Sequence, residues 1–473
     1  MMLWNSTEAD GATGGKSTKP WCASGVSIDS RTLSEGDLFV ALHDRRDGHD
    51  FLAAAFSAGA AAAMVSRIPE NTPRNAPLLV VEDVECSLSK LGAAGRSRSK
   101  AKVIAVTGSV GKTSTKEMLR HVLQPQGKTA AGELSFNNHW GVPITLAQIP
   151  SDAQYAVVEI GMNNPGEILP LAKLTSPDSA IITKIAPAHL AAFDSLEDIA
   201  REKSSIFAGV RQDGTAIINA GSPSFDIMNW EASARGLRIV SFGRSRSANW
   251  RLQDARVSSA GTVVKLETNG QARCVKLASA GQHFAENALG VLAAVESLGA
   301  DPVLAALDLA TWQPPPGRGN RHRVLLSRSE DQELTVIDDA FNASPVSLAA
   351  ALEMLASSNP GTTLSGRPGT KVAILGDMLE LGARENEIHT EIADLKAVAD
   401  IDVFHCAGQL MHNLHEALPA DKRGMWFATS EDMASQAHAL AGPGDVVLVK
   451  GSKGSRVSVV VDAIRKLGSR RQR

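Results

Sequence analysis

The stretch VIAVTGSVGKTST, residues 103–115, decides the fold. Val103 to Val106 read as a short buried strand that runs straight into Gly108 and Gly111 and then into a helix starting near Lys112. Glycines allow backbone conformations closed to other residues and let amide groups approach an anion, while a helix N-terminus adds partial positive charge. Lys112 is placed to reach the outer phosphates of a nucleoside triphosphate and the Thr113 hydroxyl to bind magnesium, with Ser109 and Ser114 in the same cradle. The pattern GxxxxGK[ST] is not fully met, because Val106 stands where its first glycine would be. The strand before and the helix after carry the reading instead, and ATP or a similar ligand is expected. A look-alike, GATGGKST at residues 11–18, has no such flanks and is followed by Pro20, so residues 1–24 are expected to be a flexible leader.

Outward from this loop the chain divides. Toward the C-terminus the apolar runs AVVEI (156–160), AIIT (180–183) and AIIN (216–219) alternate with helical patterns, which predicts a mostly parallel sheet covered by helices on both faces over residues 101–315. Toward the N-terminus SIDSRTLSEGDLFVAL (27–42) and the alanine-rich helix after it predict a small α/β unit over residues 25–100. The proline- and glycine-rich PPPGRGNRHR (314–323) marks a linker. Beyond it LTVID, KVAIL, DVFHCAG and DVVLVKG alternate with helices, so residues 316–473 read as a third, Rossmann-like doubly wound domain. The fold class is α/β in three domains, in keeping with a length of 473 residues.

Composition narrows the function classes. With 48 basic against 51 acidic residues the formal charge is −3, so there is no broad electrostatic footprint for nucleic acid. The four cysteines, Cys22, Cys86, Cys274 and Cys406, stand far apart without a CxxC pair, against a disulfide framework or a zinc site. The first twenty residues carry no signal-peptide pattern, and no run approaches the ~20 apolar residues of a membrane span, so a cytoplasmic enzyme without membrane partners is expected.

Three downstream residues bear on the phosphate loop. Glu159 closes the strand in VVEIGMN at the end where ligands of parallel sheets gather, and a hard cation bridging phosphates wants such an oxygen ligand. By itself it reads equally as a carboxylate that happens to end a strand. His189, in KIAPAHLAAF, follows another strand end, where a lone histidine is more often an ordinary loop residue. Lys203, in AREKSSIF, lies on a helix behind Ser195 and alone reads as part of a solvated face.

Taken in order, TGSVGKTST, VVEIGMN, KIAPAHLAAF and AREKSSIF resemble the central ATPase domain of the Mur ligases. The resemblance implies that Glu159 and His189 are ligands of magnesium, with two ions expected, and that Lys203 is carbamylated, which would turn a cation that repels the metal into an anion that binds it. Lys112, His189 and Lys203 are then the expected catalytic residues. The first unit, with SIDSRTLSEGDLFVAL and DGHDFLAAAFSAGAAAAMV, resembles the UDP-sugar domain of family members acting late on UDP-muramoyl peptides, which implies substrate contacts for Ser30 and Arg31. The triplet DSR could equally just close a turn.

GELSFNNHWGVPITLA (132–147) is similar to the substrate loop of the D-alanyl-D-alanine-adding branch, implying substrate contacts for Asn137 and Asn138, although relatives often carry other residues at His139 and Trp140. PGRGNRHRV, GQHFAENALG and VIDDAFNASP imply nucleotide contacts for Arg318, Asn287, Asp339 and Asn342. Phe341 replaces the family's usual tyrosine, and Ser344 its second asparagine. LGDMLELG with His389, and VLVKGSKGSR, also fit this branch, and the DNPR motif of the diaminopimelate-adding relatives is missing from the sequence. The implied reaction is ATP-dependent amide formation between a UDP-N-acetylmuramoyl tripeptide and D-alanyl-D-alanine through an acyl phosphate, in peptidoglycan precursor synthesis, by a monomer. A nucleotide switch without chemistry is the alternative from another class, disfavoured by Glu159, His189 and Lys203 in register.

Overall fold

The computed structural model describes residues 2–70, 72–132, 135–187, 192–258, 261–327, 332–363 and 366–470. The strand Lys102–Thr107 is central to a nine-stranded sheet, flanked in parallel by Tyr155–Glu159 and Ser179–Ile182. Its residues alternate between two apolar layers: Ile104 and Val106 pack with the helices Lys112–Leu123 and Gln282–Ser297, whereas Val103 and Ala105 face Ile168, Leu171, Ile199 and Phe207. Because both faces are covered, the strand is apolar throughout rather than alternating.

The strand Trp250–Ser258 continues the parallel array, and Gly261–Thr268 and Gln271–Leu277 then extend the sheet as antiparallel hairpins. The sequence reading did not resolve these two strands. Trp250 and Leu252 of the strand Trp250–Ser258 and Val264 and Leu266 of the strand after it lie on the core face, one residue in two, as a half-buried sheet requires.

Residues 320–450 build a six-stranded sheet, in order 320–327, 332–339, 446–450, 371–376, 403–407 and 423–427, parallel except for its first strand. Helices on its two faces bury separate cores, one around Leu352, Leu375 and Phe404 and the other around Val336, Ile374 and Val460. The N-terminal unit carries a five-stranded sheet, ordered 16–17, 78–80, 62–65, 37–40 and 25–27.

The flexible leader is corrected here. Trp4–Asn5 pairs with Cys22–Ala23, Ser6–Thr13 is a helix capped by the Asn5 side chain, and Lys16–Ser17 pairs with the strand at residues 78–80. Lys16 of the look-alike motif therefore sits in a sheet edge. Trp4 is 2% exposed, donates its indole N–H to the Ala147 carbonyl at 2.9 Å, and carries the Arg98 guanidinium 3.8 Å above its ring. Burying two tryptophans, Trp4 and Trp21, favours folding over the chain entropy of a short leader. Trp4→Ala is expected to cost about 3–5 kcal/mol in urea unfolding, whereas a loose leader would leave the midpoint unmoved.

Candidate nucleotide and metal site

The phosphate loop is set by its neighbours in the sheet. Gly108 lies at φ 151°, where a Cβ would collide with the Thr183 hydroxyl, and Gly111 at φ 87°, where a Cβ would stand 3.0 Å from Asn287 Oδ1. The Ser109 N–H donates to the Lys184 carbonyl at 2.7 Å, the Ser109 hydroxyl accepts the Ala186 N–H at 3.1 Å, and Thr183 Oγ1 donates to the Val110 carbonyl at 2.7 Å. Lys112 turns its ammonium back onto the loop, donating to the Gly108 carbonyl at 2.7 Å. Burial pushes the Lys112 ammonium below its ordinary range; Glu159 opposes this and Arg318 adds to it.

Five oxygen- and nitrogen-bearing side chains meet beside the loop. Thr113 Oγ1 donates to Glu159 Oε2 at 2.9 Å, Asn137 Nδ2 donates to Glu159 Oε1 at 2.7 Å, and Ser135 Oγ lies 3.3 Å from Thr113 Oγ1. Arg318, from the connector to the C-terminal unit, donates to Ser135 Oγ at 3.0 Å. Among the described residues no group of three His, Cys, Asp or Glu side chains is placed to hold a metal. Magnesium in phosphate sites keeps several waters and takes one or two carboxylates, and the Thr113 and Ser135 hydroxyls with the buried Glu159 carboxylate are the hard oxygen donors it prefers.

Lys203 departs from the reading of a solvated face. Ser195 caps the helix Leu196–Ser204, and Ile199, Ala200, Lys203 and Ser204 form its buried side. Lys203 is 1% exposed and makes no ion pair among the described residues. Burial holds its pKa well below the ordinary value, the nearby Lys112 charge lowers it further, and Glu202 opposes both. The Glu202 carboxylate itself is engaged by the Gly166 and Ile168 N–H groups.

On the C-terminal side Asp339 Oδ2 accepts from Lys450 Nζ at 2.7 Å, and Lys450 also donates to the Asn342 carbonyl at 3.0 Å. Burial raises the Asp339 carboxyl while Lys450 opposes the shift. Lys450 and Ser135 are site residues the sequence reading missed; the strand-end position of Lys450 in VLVKG was the available signal. Ser344 caps the helix Pro345–Ala356 in a reciprocal pair with Ser347, a task suited to a hydroxyl.

The structure thus gathers Gly108, Ser109, Gly111, Lys112, Thr113, Asn137, Glu159, Asn287 and Arg318 around one loop, with Lys203 within the field of Lys112. Ser114 is buried in the first turn of the helix. Asn138 turns toward the start of the helix Gly141–Ala147, its Oδ1 accepting the Gly141 N–H at 2.9 Å. Ser30 and Arg31 lie apart in the N-terminal unit, where the exposed Arg31 guanidinium grips Asp29 and holds that carboxyl down at about 2. His389 braces a loop, its Nε2 accepting the Met378 N–H at 3.0 Å. His189 lies outside the described residues.

The Mur ligase middle domain family matches residues 106–295, and the Mur ligase glutamate ligase domain matches residues 322–453. The UDP-N-acetylmuramoyl-tripeptide–D-alanyl-D-alanine ligase of Rickettsia prowazekii is 34% identical, covering 98% of this chain and 99% of the relative. Its namesake from Escherichia coli is also 34% identical, covering 94% of each chain. The crystal structure of MurF from Acinetobacter baumannii superposes with a TM-score of 0.80 at 28% identity, over 98% of this chain and 99% of that one. MurF ligase from Thermotoga maritima in complex with ADP gives 0.75 at 26% identity, over 94% and 98%. With both family domains matched in order around the phosphate loop, this chain belongs to the Mur ligase family.

Proposed function

We propose that the chain joins D-alanyl-D-alanine to UDP-N-acetylmuramoyl-tripeptide at the expense of ATP, in peptidoglycan precursor synthesis. The observation that carries the reading is the convergence of Lys112, Thr113, Glu159 and Arg318 on one loop, in a chain that relatives of that name match over nearly its whole length. The terminal carboxylate of the tripeptide attacks the γ-phosphorus, the bond to the bridging oxygen breaks, and ADP leaves. The dipeptide amine then attacks the acyl carbon, phosphate departs, and the amine loses its proton. Splitting the reaction in this way replaces one high barrier by two lower ones.

Lys112, Arg318 and the loop amides neutralise and orient the transferring phosphoryl group. Bound magnesium, two ions in this reading, would supply further charge neutralisation, held by Thr113, Glu159, His189 and a carbamylated Lys203. The buried Lys203 fits that modification, because its depressed pKa favours the neutral amine that can add to carbon dioxide. Asn287, Asp339 and Asn342 attend the nucleotide, and Ser30, Arg31, Asn137 and Asn138 the UDP-peptide. In this assignment residues 25–100 serve the UDP-sugar, 101–315 ATP, and 316–473 closure over the reacting groups, where water must be excluded from the acyl phosphate. No helix among the described residues is long and apolar enough to cross a membrane; a cytoplasmic monomer is the working assignment.

Phosphate release is expected to require UDP-N-acetylmuramoyl-tripeptide and D-alanyl-D-alanine together. Release stimulated by a folate with glutamate, or a rate indifferent to both acceptors, would overturn the reading in favour of a relative or of a nucleotide switch.

A further inference from the structure

Phe341 stands between the connector and the C-terminal unit. Its ring centroid lies 4.2 Å from the Arg318 guanidinium carbon and 6.0 Å from Lys453 Nζ. The backbone fixes this contact: the Phe341 N–H donates to the Gly317 carbonyl at 3.0 Å, and Gly317, at φ 76°, lets the two segments approach so closely that an added Cβ would stand 2.9 Å from that of Phe341. The ring is thereby held in register with the residue next to Arg318.

Arg318 needs such a support. Its side chain is partly buried, and among the described residues it makes one hydrogen bond, to Ser135 Oγ, and no ion pair. A guanidinium offers five N–H donors on a long side chain with ~2 kcal/mol of rotamer entropy, so one bond to a hydroxyl does not fix its plane. An aromatic face does, through attraction of the cation to the ring.

We infer that Phe341 is a positioning residue: it holds the Arg318 plane against Ser135, and so against the Thr113 and Glu159 pair, linking the C-terminal unit to the phosphate loop. The inference rests on ATP binding at the loop and not on the identity of the acceptors.

The test is the affinity of the full chain for a non-hydrolysable ATP analogue with magnesium, measured by calorimetry in a double-mutant cycle. Phe341→Leu is expected to weaken binding about tenfold, within the range of a partly buried cation–aromatic contact, and Phe341→Tyr by less than about twofold. In an Arg318→Ala background Phe341→Leu should add nothing. Equal losses in both backgrounds, or a tyrosine variant as weak as the leucine one, would overturn the inference and leave the ATP reading standing. No binding by the unmodified chain would strike both. Thermal midpoints establish folding, and Phe341→Met completes the same cycle should the leucine variant fail to fold.

Discussion

Lys203→Ala is expected to lower acceptor-dependent phosphate release by roughly a thousandfold or more, the scale on which charged groups act in phosphoryl transfer. Partial recovery should follow addition of formate or acetate. The side chain is sealed from solvent and lies in the field of Lys112, so an ammonium there is opposed by both desolvation and like charge. A neutral amine is the form the site favours, and in the proposed carbamylation carbon dioxide would convert it to an anion that complements Lys112 instead of repelling it. A small carboxylate in the space left by alanine restores that negative charge, and depleting carbon dioxide should slow the unmodified enzyme. Full activity of the alanine variant would remove Lys203 from the mechanism; recovery with a small amine instead of an acid would show that a cation is what the site needs.

Lys112→Ala should be as damaging, again by about a thousandfold or more in phosphate release, but with a different accompaniment. The Lys112 ammonium lies in the field of the Arg318 guanidinium, and burial disfavours the charged form of both. Removing Lys112 relieves its repulsion with Arg318 and the cost of burying its ammonium, so the thermal midpoint is expected to hold or rise while turnover vanishes. Lys112→Arg should not restore activity, because a planar fork cannot occupy the place of a compact ammonium within the loop. A variant that loses turnover and midpoint together would indicate a structural lysine.

The elements legible in the sequence are those whose local pattern states their environment. Val103 to Val106 sit between two cores and are apolar on both faces, and Gly108 and Gly111 occupy backbone conformations that favour glycine. The burial of Lys203 was also written locally, at the spacing Ile199, Ala200, Lys203 on one helix side, but a charged residue in an apolar stripe is easily taken for its edge. The N-terminal residues were misread because their anchors are two isolated tryptophans in a polar stretch, and Trp4 finds its partner at Ala147. The link from Arg318 to Ser135 joins residues 183 positions apart and has no local signature. The rings of His139 and Trp140 meet at 4.8 Å and His139 Nε2 lies 3.7 Å from Glu85, a contact between units that spacing alone does not reveal.

The pinning of Ser109 and Val110 to the neighbouring strand end has a thermodynamic corollary. Residues already frozen in their receptive shape lose no chain freedom when a guest arrives, so the association step escapes the ordering penalty that a floppy loop would incur. On the proposed role of Lys112, an arriving phosphate would displace the Gly108 carbonyl from its ammonium, a swap of one acceptor for another.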